Sequence, residues 1–138
     1  MAYLFDTNVL SELRRKERID HTALSTLSTV DLAGSFISVI SLLEIEIGAL
    51  GMERRDPQQG AVFRAWLHQV AERHTPDRIL DVTPDIASCA ARLQVPNRRN
   101  PYDALIGATA IVHNLTLVTR NVRDFRIEGL RILDPWTS

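Results

Sequence analysis

Residues 1–15 read MAYLFDTNVLSELRR. Tyr3 to Phe5 form a short apolar run, and Asp6 follows at once. From Asn8 onward Val9, Leu10 and Leu13 recur at helical spacing. A buried strand therefore stops, and a helix starts, at a carboxylate. Such an acid either caps the helix or holds a metal ion. The choice between them depends on what the rest of the chain brings to the same edge.

Working outward from this stretch, strands are expected at SFISVI (35–40), RILDV (78–82), LTLVT (115–119) and GLRILDP (129–135). Between them lie helical patterns. Ala23, Leu24, Leu27 and Val30 mark a helix over 20–31, after the charged run RRKER (14–18), which is expected to face solvent. A long helix is expected from Ser41, with an apolar stripe of Leu42, Leu43, Ile45, Ile47 and Leu50. DPQQG (56–60) interrupts it, and a further helix is expected from Ala61 to His74. Thr83 caps a helix whose first residue is Pro84 and which runs to about Gln94. Asn100 caps another, with Pro101 in its first turn and Ala104 to Val112 as its body. Alternating strands and helices define an α/β domain with a mainly parallel sheet, spanning residues 1–138 as one unit. In such sheets the functional crevice lies beyond the carboxyl ends of the strands.

Composition narrows the partners. The chain has 138 residues and a net charge of −1, so it has no overall basic field. Nucleic acid would have to be met by a local patch. Lys16 is the only lysine among sixteen basic residues; the rest are arginines, whose forked guanidinium suits phosphate and carboxylate. Cys89 is the only cysteine, which excludes an intrachain disulfide and a cysteine zinc cluster. No signal peptide is visible, and no apolar run approaches the roughly 20 residues of a membrane span. A cytoplasmic protein without membrane attachment is expected.

Four acids fall at corresponding places. Asp6 ends the first strand. Glu44 follows the second, behind Ser41, where Ser41-Leu42-Leu43-Glu44 also fits a capping box. Asp103 lies in the first turn after Asn100, where the helix dipole favours an anion. Asp124 follows the LTLVT strand and could equally brace a turn with Asn121. In a parallel sheet all four can meet at one edge. Two carboxylates ~5.5 Å apart repel by about 3 kcal/mol at an effective dielectric of 20, a cost that a divalent cation between them removes. Oxygen-only ligands favour Mg²⁺, or Mn²⁺, and such an ion can activate water for in-line attack on a phosphodiester. Arg98, Arg99, Arg120 and Arg123 fall near the same edge and are candidates for RNA phosphate contacts. His21, His68, His74 and His113 lack ligand spacing and read as structural or solvated. No nucleophile elbow, P-loop or dinucleotide fingerprint is present.

FDTNVLSEL, SVISLLEIEIG, NPYDALIGATA and LTLVTRNVRDF, in this order, resemble the PIN-domain ribonucleases. More closely, they resemble the VapC-type toxins of bacterial toxin–antitoxin pairs, including the FitB and StbB branch. The likeness runs from Ala2 to Trp136. It implies a PIN-like three-layer fold with a parallel five-stranded sheet flanked by helices, and a Mg²⁺-dependent endoribonuclease acting on structured RNA, tRNA above all. Carried over, Asp6 and Asp103 are the direct metal ligands and Glu44 completes the site. Thr7, Asn8 and Ser41 orient these carboxylates. The fourth position is open between Asp124 and Asn121. The resemblance also implies a VapB-like antitoxin with a DNA-binding N-terminal part, and a homodimer or a heteromeric complex. Apolar residues over Ile47 to Met52 either pack internally or mark that interface. Asn121 also supports an alternative, a catalytically weak module that binds RNA or an antitoxin-like partner without cutting. A phosphatase using Asp6 as nucleophile is disfavoured, because Asn8 stands where its proton-donating acid belongs.

Overall fold

The structure is a computed structural model describing residues 2–14, 18–30 and 34–137. Five strands, β1 (Tyr3–Phe5), β2 (Phe36–Ser38), β3 (Ile79–Leu80), β4 (Thr116–Val118) and β5 (Ile132–Leu133), form one sheet in the order β3-β2-β1-β4-β5. Every pairing is parallel. Among the described residues six α-helices flank it: α1 (Thr7–Leu13), α2 (His21–Leu27), α3 (Val39–Arg55), α4 (Pro57–Arg73), α5 (Pro84–Leu93) and α6 (Pro101–Val112). The expected α/β class and the five-stranded parallel sheet are both observed.

Period-two alternation builds both faces of the core. Leu4 pairs with Leu117 and Phe5 with Val118. Phe5 and Val118 pack with Val9, Leu10, Ile37, Ile45 and Leu67 on one face. Leu4 and Leu117 pack with Ile106, Ala110 and Phe125 on the other. A third cluster, Ile86, Cys89, Ala90, Ala104 and Ala108, locks α5 onto α6 with small side chains, and Cys89 is the buried core residue expected of it.

Three local expectations change. The long helix starts at Val39, because Ser38 Oγ accepts the Ile40 N–H at 3.0 Å and caps it. Val39 and Ile40, read as strand from their β-branching, are its first turn, so the capping box at Ser41–Glu44 does not form. Second, DPQQG is a helix start: Asp56 caps α4 through the Gln59 N–H and Pro57 is its first residue. Third, Arg14 does not run out to solvent; its guanidinium lies over Phe63 at 4.9 Å and Trp66 at 5.8 Å. Arg15, Lys16 and Glu17 of that run lie outside the described residues, as does Asp31 at the expected end of the second helix, which closes at Leu27. The α3 stripe also divides. Ile40, Ser41, Ile45 and Ala49 are buried, while Leu43, Ile47 and Leu50 form an exposed row. No helix among the described residues is long and apolar enough to cross a membrane.

Candidate active site

From β1 the chain moves outward to β2 and β3, then returns to β4 and β5 on the opposite side. The order reverses between β1 and β4, the switch point beyond whose strand ends open α/β sheets place their functional crevice. Asp6 is the residue that leaves β1 into it. Its backbone N–H bonds to Val118 O at 2.9 Å, which holds it level with the end of β4.

Asp6 is 4% exposed. Its Oδ1 accepts from the Thr7 N–H and its Oδ2 from the Thr119 hydroxyl, each at 2.8 Å. Burial pushes its carboxyl above the usual carboxylate range; the two hydrogen bonds pull it back, and the charges of Glu44 and Asp124 push it up again. Thr7 Oγ1 lies 2.7 Å from Glu44 Oε1 and 2.9 Å from Ser41 Oγ. One hydroxyl carries one proton. Thr7 therefore donates to the Glu44 carboxylate and accepts from Ser41, which is fully buried beneath it. This bond, rather than a cap, fixes Glu44. Desolvation raises the Glu44 carboxyl, and Asp103 raises it further.

Asp103 stands in the first turn of α6, as expected, with Asn100 Oδ1 capping the helix through the Tyr102 N–H at 2.8 Å. Half-buried, it is pushed up to about 6 by desolvation first and then by Asp6 and Asp124. Asp124 sits in the 3-10 turn Val122–Phe125 after β4. Each of the four acids thus acts electrostatically on at least one other, so the structure brings them into one field. Asn121 enters differently: its backbone N–H bonds to Thr119 Oγ1 at 3.0 Å. Asn8 also reaches Thr119, through Nδ2 at 3.4 Å.

Thr119 was not among the residues singled out from the sequence. It is fully buried and links Asp6, Asn8 and Asn121 through one hydroxyl. Its position was the available signal: it ends LTLVT just as Asp6 ends AYLFD, and neighbouring parallel strands place such residues side by side. Of the four arginines, Arg98 and Arg123 are exposed, and among the described residues neither is hydrogen-bonded or ion-paired. Arg120 is engaged elsewhere, with Nη1 2.9 Å from Glu12 Oε1 and its guanidinium 5.2 Å from the Trp136 ring centre. Arg99 is anchored by Nε to Leu93 O at 3.0 Å. His74 is buried, its Nδ1 3.0 Å from Val70 O, while His21, His68 and His113 are exposed. None belongs to the acidic crevice.

The donor set can be tested against a cation. Among the described residues no three histidine, cysteine or acidic side chains lie close enough to form a ready-made cage. Mg²⁺ does not require one, since it usually keeps several waters and takes one or two carboxylates together with substrate phosphate. Burial and mutual repulsion raise three of these carboxyls, and a divalent positive charge reverses both effects. The residues fit a hard, oxygen-seeking ion.

Fold and site together define a class: parallel α/β domains with an acidic crevice at the sheet's switch point. The PIN domain family model matches residues 3–129, and the chain belongs to the PIN-domain family. It is 29% identical to the VapC ribonuclease Y4jK of Sinorhizobium fredii over 137 residues, 96% of each chain. The crystal structure of FitAcB from Neisseria gonorrhoeae superposes with a TM-score of 0.83 at 25% identity, covering 97% of this chain and 98% of that one. A chain of the toxin–antitoxin complex from Klebsiella pneumoniae is 29% identical, with a TM-score of 0.67 and 98% of each chain covered.

Proposed function

We propose that the protein is a divalent-cation-dependent endoribonuclease, the toxin of a toxin–antitoxin pair, which cuts structured RNA, with tRNA the foremost class. The observation that carries this reading is the buried Asp6 carboxylate joined through Thr7 to Glu44, with Asp103 and Asp124 near enough to push neighbouring carboxyls up. The PIN family and the names of the relatives support it. Asp6 and Asp103 hold the cation, Mg²⁺ or Mn²⁺. When bound, it neutralises a phosphoryl oxygen and acidifies water. Glu44, gripped through Oε1 by Thr7, takes a hydrogen bond from the attacking water and aligns it. Thr7, Ser41 and Asn8 keep these carboxylates in place. Asp124 closes the site as the fourth acid, and Asn121 supports it through its backbone.

The exposed row Leu43, Ile47 and Leu50 is the surface we assign to an antitoxin, in keeping with the toxin–antitoxin complex among the similar structures. The test of the central reading is cleavage of a labelled tRNA pool by purified protein. Cutting should require Mg²⁺, stop with EDTA and vanish in Asp6→Asn and Asp103→Asn. Cleavage that survives both substitutions would refute it. Tight RNA binding without any cutting by the unaltered protein would instead establish the non-cleaving alternative.

A further inference from the structure

Beside the acids lies a cavity of about 500 Å³, lined in part by Arg98, Arg99, Asp103, Arg123 and Asp124. Three arginines and two acids share its lining, whereas Asp6 and Glu44, outside it, bring negative charge only. The sign of the field therefore changes along the crevice. An RNA strand needs such a change, because the acids repel its phosphates wherever no cation intervenes.

The three arginines are not equivalent. Arg99 is a strut: its Nε bonds to Leu93 O at 3.0 Å, its backbone N–H to Gln94 Oε1 at 2.7 Å, and Nη1 reaches Asp124 O at 3.4 Å. It ties the segment before α6 to the turn that carries Asp124. Arg98 and Arg123 come from those two separate segments, line the same cavity, and among the described residues have no hydrogen-bond or ion-pair partner. Two free guanidinium groups in one cavity make a phosphate cradle.

We propose that this cavity is a single-nucleotide subsite. It takes the nucleotide next to the scissile bond and holds its phosphate between Arg98 and Arg123. The volume falls in the range of about 300–1,000 Å³ for small-molecule sites. No aromatic side chain lines the cavity, so no stacking platform is offered. Asn97 and Asn100 complete the lining; the two arginines hold phosphate, so their contribution does not depend on the base. The proposal rests on the ribonuclease reading above.

The test is fluorescence anisotropy with labelled single-stranded oligo-U and oligo-A, in Mg²⁺ over a salt series. The full chain carries Glu44→Gln so that the RNA stays whole, with and without Arg98→Gln and Arg123→Gln. Each arginine change should weaken binding by about tenfold at low salt, and equally for both RNAs. The double change should reduce the slope of log affinity against log salt by about 0.7, one single-strand phosphate. Mg²⁺ titration of the variants without RNA should match that of their parent. Unchanged affinity and slope would overturn the subsite, as would a loss confined to one base. If the unaltered protein cuts RNA while the slope is unchanged, only the subsite fails. If it neither binds nor cuts RNA, the ribonuclease reading fails with it.

Discussion

Asp103→Asn should make the cation-free protein more stable while abolishing cleavage. The Asp103 carboxyl rises from an ordinary 3.8 to about 6, chiefly through desolvation and then through Asp6 and Asp124. A group whose folded pKa is raised stabilises the fold fully below its unfolded value, and that stability is lost as pH rises through the folded value. At pH 8 the charged carboxylate is thus a burden that asparagine, of the same shape, does not carry. About two pKa units at 1.36 kcal/mol each set an upper bound of about 3 kcal/mol. Asp103 is only half-buried, and solvent screening reduces this to about 1–2 kcal/mol. At roughly 3–5 °C per kcal/mol for a domain of this size, the gain in melting temperature is roughly 3–10 °C. The assay is thermal unfolding in EDTA at pH 8 and again at pH 5, where the advantage should shrink by about half as the native carboxyl takes up its proton. Mg²⁺ should raise the melting temperature of the native chain more than that of the variant. An equal or lower melting temperature for the variant at pH 8, or a gain that grows on acidification, would refute the reasoning.

Three other perturbations separate packing from polarity. Thr119→Val deprives Asp6 Oδ2 of its donor and leaves the groups of Asn8 and Asn121 unpaired; unfolding in urea should show a loss of about 1–3 kcal/mol. Because that hydrogen bond lowers the Asp6 pKa, the acid limb of the cleavage profile should move to higher pH, and Thr119→Ser should restore it. Arg99→Lys keeps the charge but cannot hold Leu93 O and Asp124 O together; cleavage should fall while the salt dependence of RNA binding stays the same. Gly60→Ala should destabilise by about 1–3 kcal/mol in chemical denaturation, although helix propensity alone favours alanine by about 1 kcal/mol. The reason is that a Cβ there would stand 2.4 Å from Glu53 Cα, in the backbone of α3.

What could be read from the sequence follows from what is local. The alternation Leu4/Phe5 and Leu117/Val118 states which strands are buried on both faces, and parallel pairing sends Asp6, Glu44 and Asp124 to one edge. Asn100-Pro101 declares the start of α6 and so the place of Asp103. The remainder depends on pairings between distant segments. Val39 and Ile40 have strand propensity, and the Ser38 cap overrides it. Glu44 forms an ordinary capping-box pattern with Ser41, and only the packing of α1 against α3 gives it Thr7 as its partner instead. Arg120 sits two residues from the end of β4 and looks free to meet phosphate. Glu12 and Trp136, far off in the chain, engage it. Thr119 carries no charge and lies inside the LTLVTRNVRDF block with nothing to single it out there, and its importance shows only once β1 and β4 lie side by side.

The same chain supplies its own controls for the opening question, whether Asp6 is a helix cap or a ligand. Asp20 and Asp56 are caps of the ordinary kind: both are exposed, and each accepts from the backbone N–H three residues on, Ala23 and Gln59. A cap works in that position without leaving water. Asp6 differs on both counts. It is 4% exposed, and its oxygens hold the Thr7 N–H and a hydroxyl from another strand. Each carboxylate oxygen has a second lone pair, so these bonds orient Asp6 and still leave it able to bind. Burial raises its pKa, a cost that a capping role does not require and that a bound cation offsets. The two roles therefore coexist, and substitution should tell them apart. Asp20→Ala and Asp56→Ala should each cost about 0.5–2 kcal/mol whether or not Mg²⁺ is present. Asp6→Asn keeps an oxygen for the Thr7 N–H and removes the buried charge, although the Thr119 hydroxyl, which already accepts from Asn8 and Asn121, loses Oδ2 as its acceptor. In EDTA it should match or exceed the native chain in stability, and added Mg²⁺ should reverse that order. If Asp6→Asn instead lost stability equally with and without the ion, Asp6 would be no more than a cap.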